Sequence, residues 1–171
     1  MERTATPIPM TRLPTLLAPF AALLVLTGCD ATSLGDAQRI FELQAVSTPS
    51  GYTETDADGR VIRDDPSDWR AAPIYASEFF VTFKPYPNPA SATENIQFAA
   101  SFSGPSGGLE PYRLSSRGDL VRIEGVTGNT SGTAPLFSFP AGQLGDSGLQ
   151  RVVLLDLQGR IVSYGDILVI P

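Results

Sequence analysis

Residues 149–170, LQRVVLLDLQGRIVSYGDILVI, decide the fold. Two apolar runs rich in β-branched residues, 149–156 and 160–170, flank Leu157-Gln158-Gly159, and such a pair around a short glycine turn reads as a β-hairpin. Val152, Val153, Leu154 and Leu155 follow one another without a polar interruption, so the first strand is expected in the middle of a sheet with both faces covered.

The stretch from Ile74 onward has the same character, with short alternating apolar runs separated by Gly, Pro, Ser and Asn, the pattern of an all-β domain. EFFVTF (78–83) is expected to be a strand, stopped by KPYPNP (84–89), where Pro85, Pro87 and Pro89 exclude a central strand. ENIQFAASF (94–102) carries Ile96, Phe98 and Ala100 on one face, and GPSGG (104–108) turns the chain. Residues 112–114 and 120–124 form a pair with Gly118-Asp119 at its turn, and LFSF (136–139) is a further strand. Asn129-Thr130-Ser131 in the loop between them has the form of a glycosylation sequon, which is read as chance.

About seven short strands at this spacing point to two packed antiparallel sheets, an immunoglobulin-like β-sandwich over residues 74–171. Asp146-Ser147-Gly148-Leu149-Gln150 resembles the corner that leads into the sixth strand of such domains, with Gln150 where the corner tyrosine would stand.

At the other end, residues 1–28 have the layout of a cleaved signal helix: Arg3 and Arg12, then an apolar run, then Leu26-Thr27-Gly28-Cys29. That tetrapeptide has the form of a bacterial lipobox, so cleavage is expected between Gly28 and Cys29 and acylation on the Cys29 thiol. A membrane span does not fit, because residues 13–28 number 16 and include Pro14 and Pro19, against about 20 apolar residues for a helix that crosses. The membrane is therefore expected as a partner through lipidated Cys29, in a bacterial cell envelope and at its outer membrane.

Residues 29–73 read as an acidic, extended segment. Phe41, Leu43 and Ala45 alternate with Glu42 and Gln44, the period of a half-buried strand, with a single helical turn as the alternative. Asp58-Gly59 marks a turn between two short extended runs. The same piece has a loose calcium-loop pattern, with Glu54, Asp56, Asp58 and Gly59 at the first, third, fifth and sixth positions, and Asp56 and Asp58 are its candidate ligands. Trp69, the only tryptophan, is expected to lie against the sandwich.

Composition narrows the chemistry. Without residues 1–28 the chain has 143 residues, 10 basic and 17 acidic, and this charge balance excludes a nucleic-acid footprint. Histidine is absent and Cys29 is the only cysteine, which removes the Ser-His-Asp triad, the usual zinc site and any disulfide. Glu78, Glu94, Glu110 and Glu124 are scattered over separate strands and turns. No enzyme activity and no cofactor are expected.

Tyr86-Pro87-Asn88-Pro89-Ala90 and Val153-Leu154-Leu155-Asp156-Leu157-Gln158-Gly159-Arg160-Ile161-Val162 resemble elements of the C-terminal immunoglobulin-like modules of type IX secretion cargo and of flagellar hook-capping proteins. The whole plan is similar to short uncharacterised bacterial surface lipoproteins. The resemblance implies the sandwich fold and no activity. The expected role is a non-catalytic, membrane-anchored interaction or structural module with a protein partner in the envelope. The alternative is a small-ligand module for calcium or carbohydrate, which requires Tyr75, Tyr86, Tyr112, Phe137 and Phe139 to share an exposed face.

Overall fold

The computed structural model describes residues 33–129 and 131–171. Gly28 and Cys29 lie outside these residues. In chain order the elements are α1 (Leu34–Ala45), β1 (Glu54–Thr55), β2 (Val61–Arg63), β3 (Arg70–Ala71), β4 (Phe79–Tyr86) and β5 (Ala90–Ser91). They continue with β6 (Asn95–Phe102), β7 (Leu109–Leu114), β8 (Leu120–Arg122), β9 (Leu136–Pro140), β10 (Gly148–Asp156) and β11 (Ile161–Ile170).

The terminal hairpin forms as the sequence requires: β10 and β11 pair antiparallel from Gly148↔Val169 to Leu155↔Ile161. It is the centre of the larger sheet, in the order β3-β11-β10-β7-β8, with β5 joining β11 in parallel. The smaller sheet has the order β4-β6-β9. Leaving aside the two-residue β5, the first, second and fifth strands from β4 onward make one sheet and the third, fourth, sixth and seventh the other. This is the division of an antiparallel immunoglobulin-like sandwich, and all seven expected strands are present. The first runs further than its prolines suggest, to Tyr86, because β4 is an edge strand and the missing N–H of Pro85 breaks no ladder.

Alternation on β6 turns Ile96, Phe98, Ala100 and Phe102 inward. Phe98 stacks on Phe137 of β9 with ring centroids 5.7 Å apart and meets Trp69 at 4.8 Å, while Tyr75 packs edge-on against Phe102. Each buried side chain of this size contributes roughly 2–3 kcal/mol of transfer free energy.

The segment before residue 74 departs from the expected extended chain. Residues 34–45 are a helix, not a strand. Ser33 caps its N-terminus by accepting a hydrogen bond from the Asp36 N–H at 3.1 Å. Gln38, Phe41 and Ala45 then fall on one buried face, the helical spacing of three and four. The 41/43/45 alternation was half of that pattern, and Leu43 points outward at 60% exposed. The inward face lies on the larger sheet, with the Phe41 ring 4.9 Å from that of Tyr164 on β11. Covered by α1 on one side and by the smaller sheet on the other, β10 is buried from Arg151 to Asp156.

The β1–β2 hairpin packs beside β4: the Thr55 N–H donates to Asn88 O at 2.8 Å and Thr55 Oγ1 to Pro85 O at 2.7 Å. The described residues form a single compact unit.

Candidate functional site

Three hairpins share one turn, and this accounts for Asp56. Asp56-Ala57-Asp58-Gly59-Arg60, Ser115-Ser116-Arg117-Gly118-Asp119 and Asp156-Leu157-Gln158-Gly159-Arg160 have a side-chain acceptor first and glycine fourth. In each, the first N–H donates to the fifth carbonyl and the glycine N–H to the first carbonyl. The first side chain then accepts from the third and fifth amides: Asp56 Oδ1 from Asp58 and Arg60 at 3.0 and 2.8 Å, and Asp156 Oδ1 from Gln158 and Arg160 at 2.9 Å each. Ser115 Oγ does the same with Arg117 and Asp119. Gly59, Gly118 and Gly159 have φ of 81°, 85° and 78°, the left-handed conformation that favours glycine at this point of a hairpin. Asp56 is therefore a turn cap, with one carboxylate oxygen occupied by two amides. Asp58 is exposed and supplies a backbone donor. Among the described residues no group of three acidic, histidine or cysteine side chains could hold a metal ion.

Asp156 has a second task. Its Oδ2 accepts from Tyr75 Oη at 2.7 Å and from Arg160 Nε at 2.8 Å, with its side chain fully buried. Burial works against the charge of Asp156, but these donors hold its carboxyl below the usual range. Burial and then the carboxylate partner push the Tyr75 hydroxyl up.

Polar groups inside the fold converge on β11. Arg151 on β10 and Asp166 on β11 are cross-strand partners, 3% and 2% exposed. They form a forked ion pair, Nε to Oδ1 and Nη2 to Oδ2, the latter at 2.9 Å. Arg151 Nη1 donates to Gln44 O at 2.6 Å, so the guanidinium also closes the C-terminus of α1, where free carbonyls carry partial negative charge. It lies over the Tyr164 ring, 4.7 Å from the centroid.

Asn88, fully buried in the YPNP element, donates through Nδ2 to Thr53 O and Asp166 O and accepts from the Leu168 N–H at 2.9 Å. Asp68 accepts from the Thr53 N–H at 2.9 Å and the Asp166 N–H at 2.7 Å. Burial pushes the Asp68 carboxyl up to about 7 against those two amides, and the charge of Asp166 adds to the rise.

A polar cleft of about 280 Å³ opens over this cluster, lined by Gln44, Ser47, Ser67, Arg70, Tyr164 and Asp166 among others. Its donors are already engaged: Arg70 Nη2 reaches Gln44 Oε1 and Tyr164 Oη, and Arg151 is held as above. The cleft is thus the outside of a structural bracket that ties α1, the loop around Ser50 and β11 together.

Of the proposed aromatic platform, Tyr75, Phe137 and Phe139 are core residues, 3%, 0% and 3% exposed, and Tyr86 and Tyr112 are half-buried. These five do not share an open face. Two of the scattered glutamates are engaged separately, Glu110 with Arg122 at 2.7 Å and Glu94 as acceptor from the Ser91 N–H at 2.6 Å, while Glu78 Oε2 is buried without a hydrogen-bond partner.

The exposed aromatic surface lies elsewhere. On the outer side of the smaller sheet, Phe80 and Phe83 of β4 are 58% and 55% exposed and Leu136 of β9 is 46% exposed. Ladder pairing puts Phe83, Ala99 and Leu136 in one cross-strand row, with Phe80 beside Ser101 in the next. The sequence signal in EFFVTF was partial: Phe79 and Phe80 have opposite parities, so one of them must face out, whereas Phe83 shares the parity of buried Phe79 and turns outward because the register shifts between Val81 and Phe83.

Gln150 takes over the corner role of the absent tyrosine, since its Nε2 donates to Asp146 O, four residues upstream, at 2.8 Å. No protein-family model matches the chain, and no curated protein matches it.

Proposed function

We propose that the chain is a bacterial envelope lipoprotein, held at the outer membrane by acylated Cys29, and that it acts without catalysis as a protein-interaction or structural module. The observation that carries the interaction reading is the open face of the smaller sheet. Phe80, Phe83 and Leu136 stand on it among small neighbours, Ala99 and Ser101. Exposed aromatic residues on a flat surface suit the buried core of a protein interface, where such side chains carry much of the binding energy. The cleft beside Arg151 offers a small ligand no free guanidinium, since Arg151 is held by the protein's own hydrogen bonds.

The lipidation reading rests on Leu26-Thr27-Gly28-Cys29 and the charged and apolar regions before it. Among the described residues no helix is long and apolar enough to cross a membrane. The resemblance to type IX cargo and hook-capping modules supports a shared fold more than a shared task, because its two elements do structural work here. Asn88 stitches β11 to the β1–β2 hairpin, and Asp156 closes the turn of the last hairpin.

Two measurements test the proposal in the native host. Palmitate labelling and mass spectrometry should find an acylated N-terminal cysteine, abolished in Cys29→Ala; an uncleaved, unacylated chain sinks the lipoprotein reading. A photo-crosslinking amino acid at position 83 should give one discrete adduct that the same probe at Arg117, an exposed turn residue, does not give. Indistinguishable adduct patterns from the two positions would remove the interaction reading.

A further inference from the structure

We propose that α1 lies on the lipid surface, with Ile40, Leu43 and Val46 as its contact strip, so that the helix seats the domain on the membrane that holds Cys29. The inference rests on the lipoprotein reading above and deepens it.

The helix has two faces of different fate. Gln38, Phe41 and Ala45 go inward against the larger sheet. Ile40, Leu43 and the C-cap residue Val46 recur every third position on the other side, and they are 50%, 60% and 39% exposed. A surface helix ordinarily turns charged and polar residues to water; here the exposed Asp36 and Arg39 stand one turn before Ile40 and Leu43 on the same side, so the outward face is mixed, with three aliphatic side chains exposed on it.

The occupant follows from the tether. Only four residues, Asp30, Ala31, Thr32 and Ser33, stand between Cys29 and the first residue of α1. Even a fully extended chain rises at most about 3.3–3.6 Å per residue, so with Cys29 acylated the N-terminus of α1 is confined to within roughly 20 Å of the bilayer. No free partner reaches the local concentration that so short a tether gives the lipid surface. An amphipathic helix at an interface buries its apolar side by about 5–10 Å, which three side chains on one face can do.

Electrostatics gives this contact no preference for anionic lipid. The charged side chains of α1 are Asp36, Arg39 and Glu42, with no excess of basic residues to select anionic lipid. The contact is therefore apolar, and zwitterionic lipid should serve as well as anionic.

The test uses the acylated protein reconstituted in phosphatidylcholine vesicles, with and without phosphatidylglycerol, carrying an environment-sensitive fluorophore on Leu43→Cys. Acylation blocks the thiol of Cys29, so labelling is confined to the introduced cysteine. Leu136→Cys, on the open face of the smaller sheet, is the comparison. The label at 43 should shift to the blue and be quenched by doxyl-labelled phosphatidylcholine, equally in both lipid compositions, while the label at 136 should show neither effect. No quenching at 43 in protein whose acylation is verified by mass overturns the seating of α1 and leaves the lipoprotein reading standing. Equal quenching at 43 and 136 also overturns it, and absence of acylation at Cys29 overturns both.

Discussion

The indole of Trp69 occupies the space that a side chain at position 165 would need. A Cβ on Gly165 would stand 2.5 Å from Asp68 Oδ1 and closer still to Trp69 Cε2 and Nε1. Trp69 reaches this position with a φ of 62°, left-handed and unusual for a bulky residue. Its backbone N–H donates to Tyr164 O at 2.8 Å while the buried indole N–H has no partner, and the strain of such a conformation, about 1–3 kcal/mol, is offset by the burial of the ring against Phe98.

Gly165→Ala should accordingly destabilise the domain by about 1–3 kcal/mol or more, the usual range for overpacking a core. Urea unfolding followed by tryptophan fluorescence checks it. A midpoint unchanged from the parent would mean that Trp69 can move aside freely.

The Arg151–Asp166 pair predicts a non-additive result. Removing either charge leaves the other buried, and Arg151→Met or Asp166→Leu should each cost about 3–5 kcal/mol. The double variant should cost much less than the sum, because no uncompensated charge remains. Since Arg151 also holds Gln44 O, hydrogen exchange in the last turn of α1 should quicken in Arg151→Met. Additive losses, or an unchanged α1, would contradict the bracket.

Asp68 sets a pH dependence. Its carboxyl titrates near 3.8 when unfolded and near 7 in the fold. Below 3.8 it is neutral in both states and folding incurs no desolvation penalty. Between about 3.8 and 7 the unfolded chain is ionised while the folded carboxyl keeps its proton, so stability falls as pH rises across that window and levels off above 7, where both states are ionised. The domain should be more stable at pH 5 than at pH 8 by roughly 1–3 kcal/mol, and Asp68→Asn should flatten this slope even though it weakens one amide contact. Asp156, whose carboxyl is held below its ordinary value, acts in the opposite sense and only below about pH 4. Thermal unfolding at stepped pH separates the two.

The shared turn separates Asp56 from Asp156. Asp56→Ala removes two hydrogen bonds at an exposed hairpin and should cost about 0.5–1 kcal/mol. Asp156→Ala also strands the buried Tyr75 hydroxyl and releases Arg160, and should cost about 2–4 kcal/mol. Asp58→Asn should have no effect, and calcium should leave the unfolding temperature of the parent protein unchanged. A calcium-dependent rise that Asp56→Asn abolishes would restore the ion-site reading.

Strand identity was legible because alternation and breakers are local properties. ENIQFAASF and LFSF carry a period of two, EFFVTF and the two halves of the terminal hairpin are apolar runs next to Gly or Pro breakers, and each became a strand. The helix was misread for the same local reason: 41, 43 and 45 satisfy a period of two while 38, 41 and 45 satisfy 3.6. The Ser33 cap and the sheet surface under Phe41 decided between them. The repeated turn could have been found by aligning DADGR with DLQGR, since the acceptor and the glycine stand at the same offset in both.

The sites were less legible. A calcium reading of Asp56 and a turn reading compete for the same carboxylate, and sequence spacing does not say which amides lie within its reach. The five chosen aromatics were judged by type, but burial is decided by which sheet face each side chain meets, and Phe80 and Phe83, not Phe137 and Phe139, remained outside.

By itself the sequence determined the seven main strands after residue 77 and their order, the central place of residues 149–170, the corner at Asp146 to Gln150 and the absence of histidine, because each follows from local pattern or composition. Only the tertiary structure decided that Arg151 and Asp166 form a buried pair, that Trp69 enters the sandwich over Gly165, and that α1 covers one sheet while the other keeps an open aromatic face. Those outcomes depend on partners 15 to more than 100 residues apart in the chain, and no local period encodes which distant group will meet a given side chain.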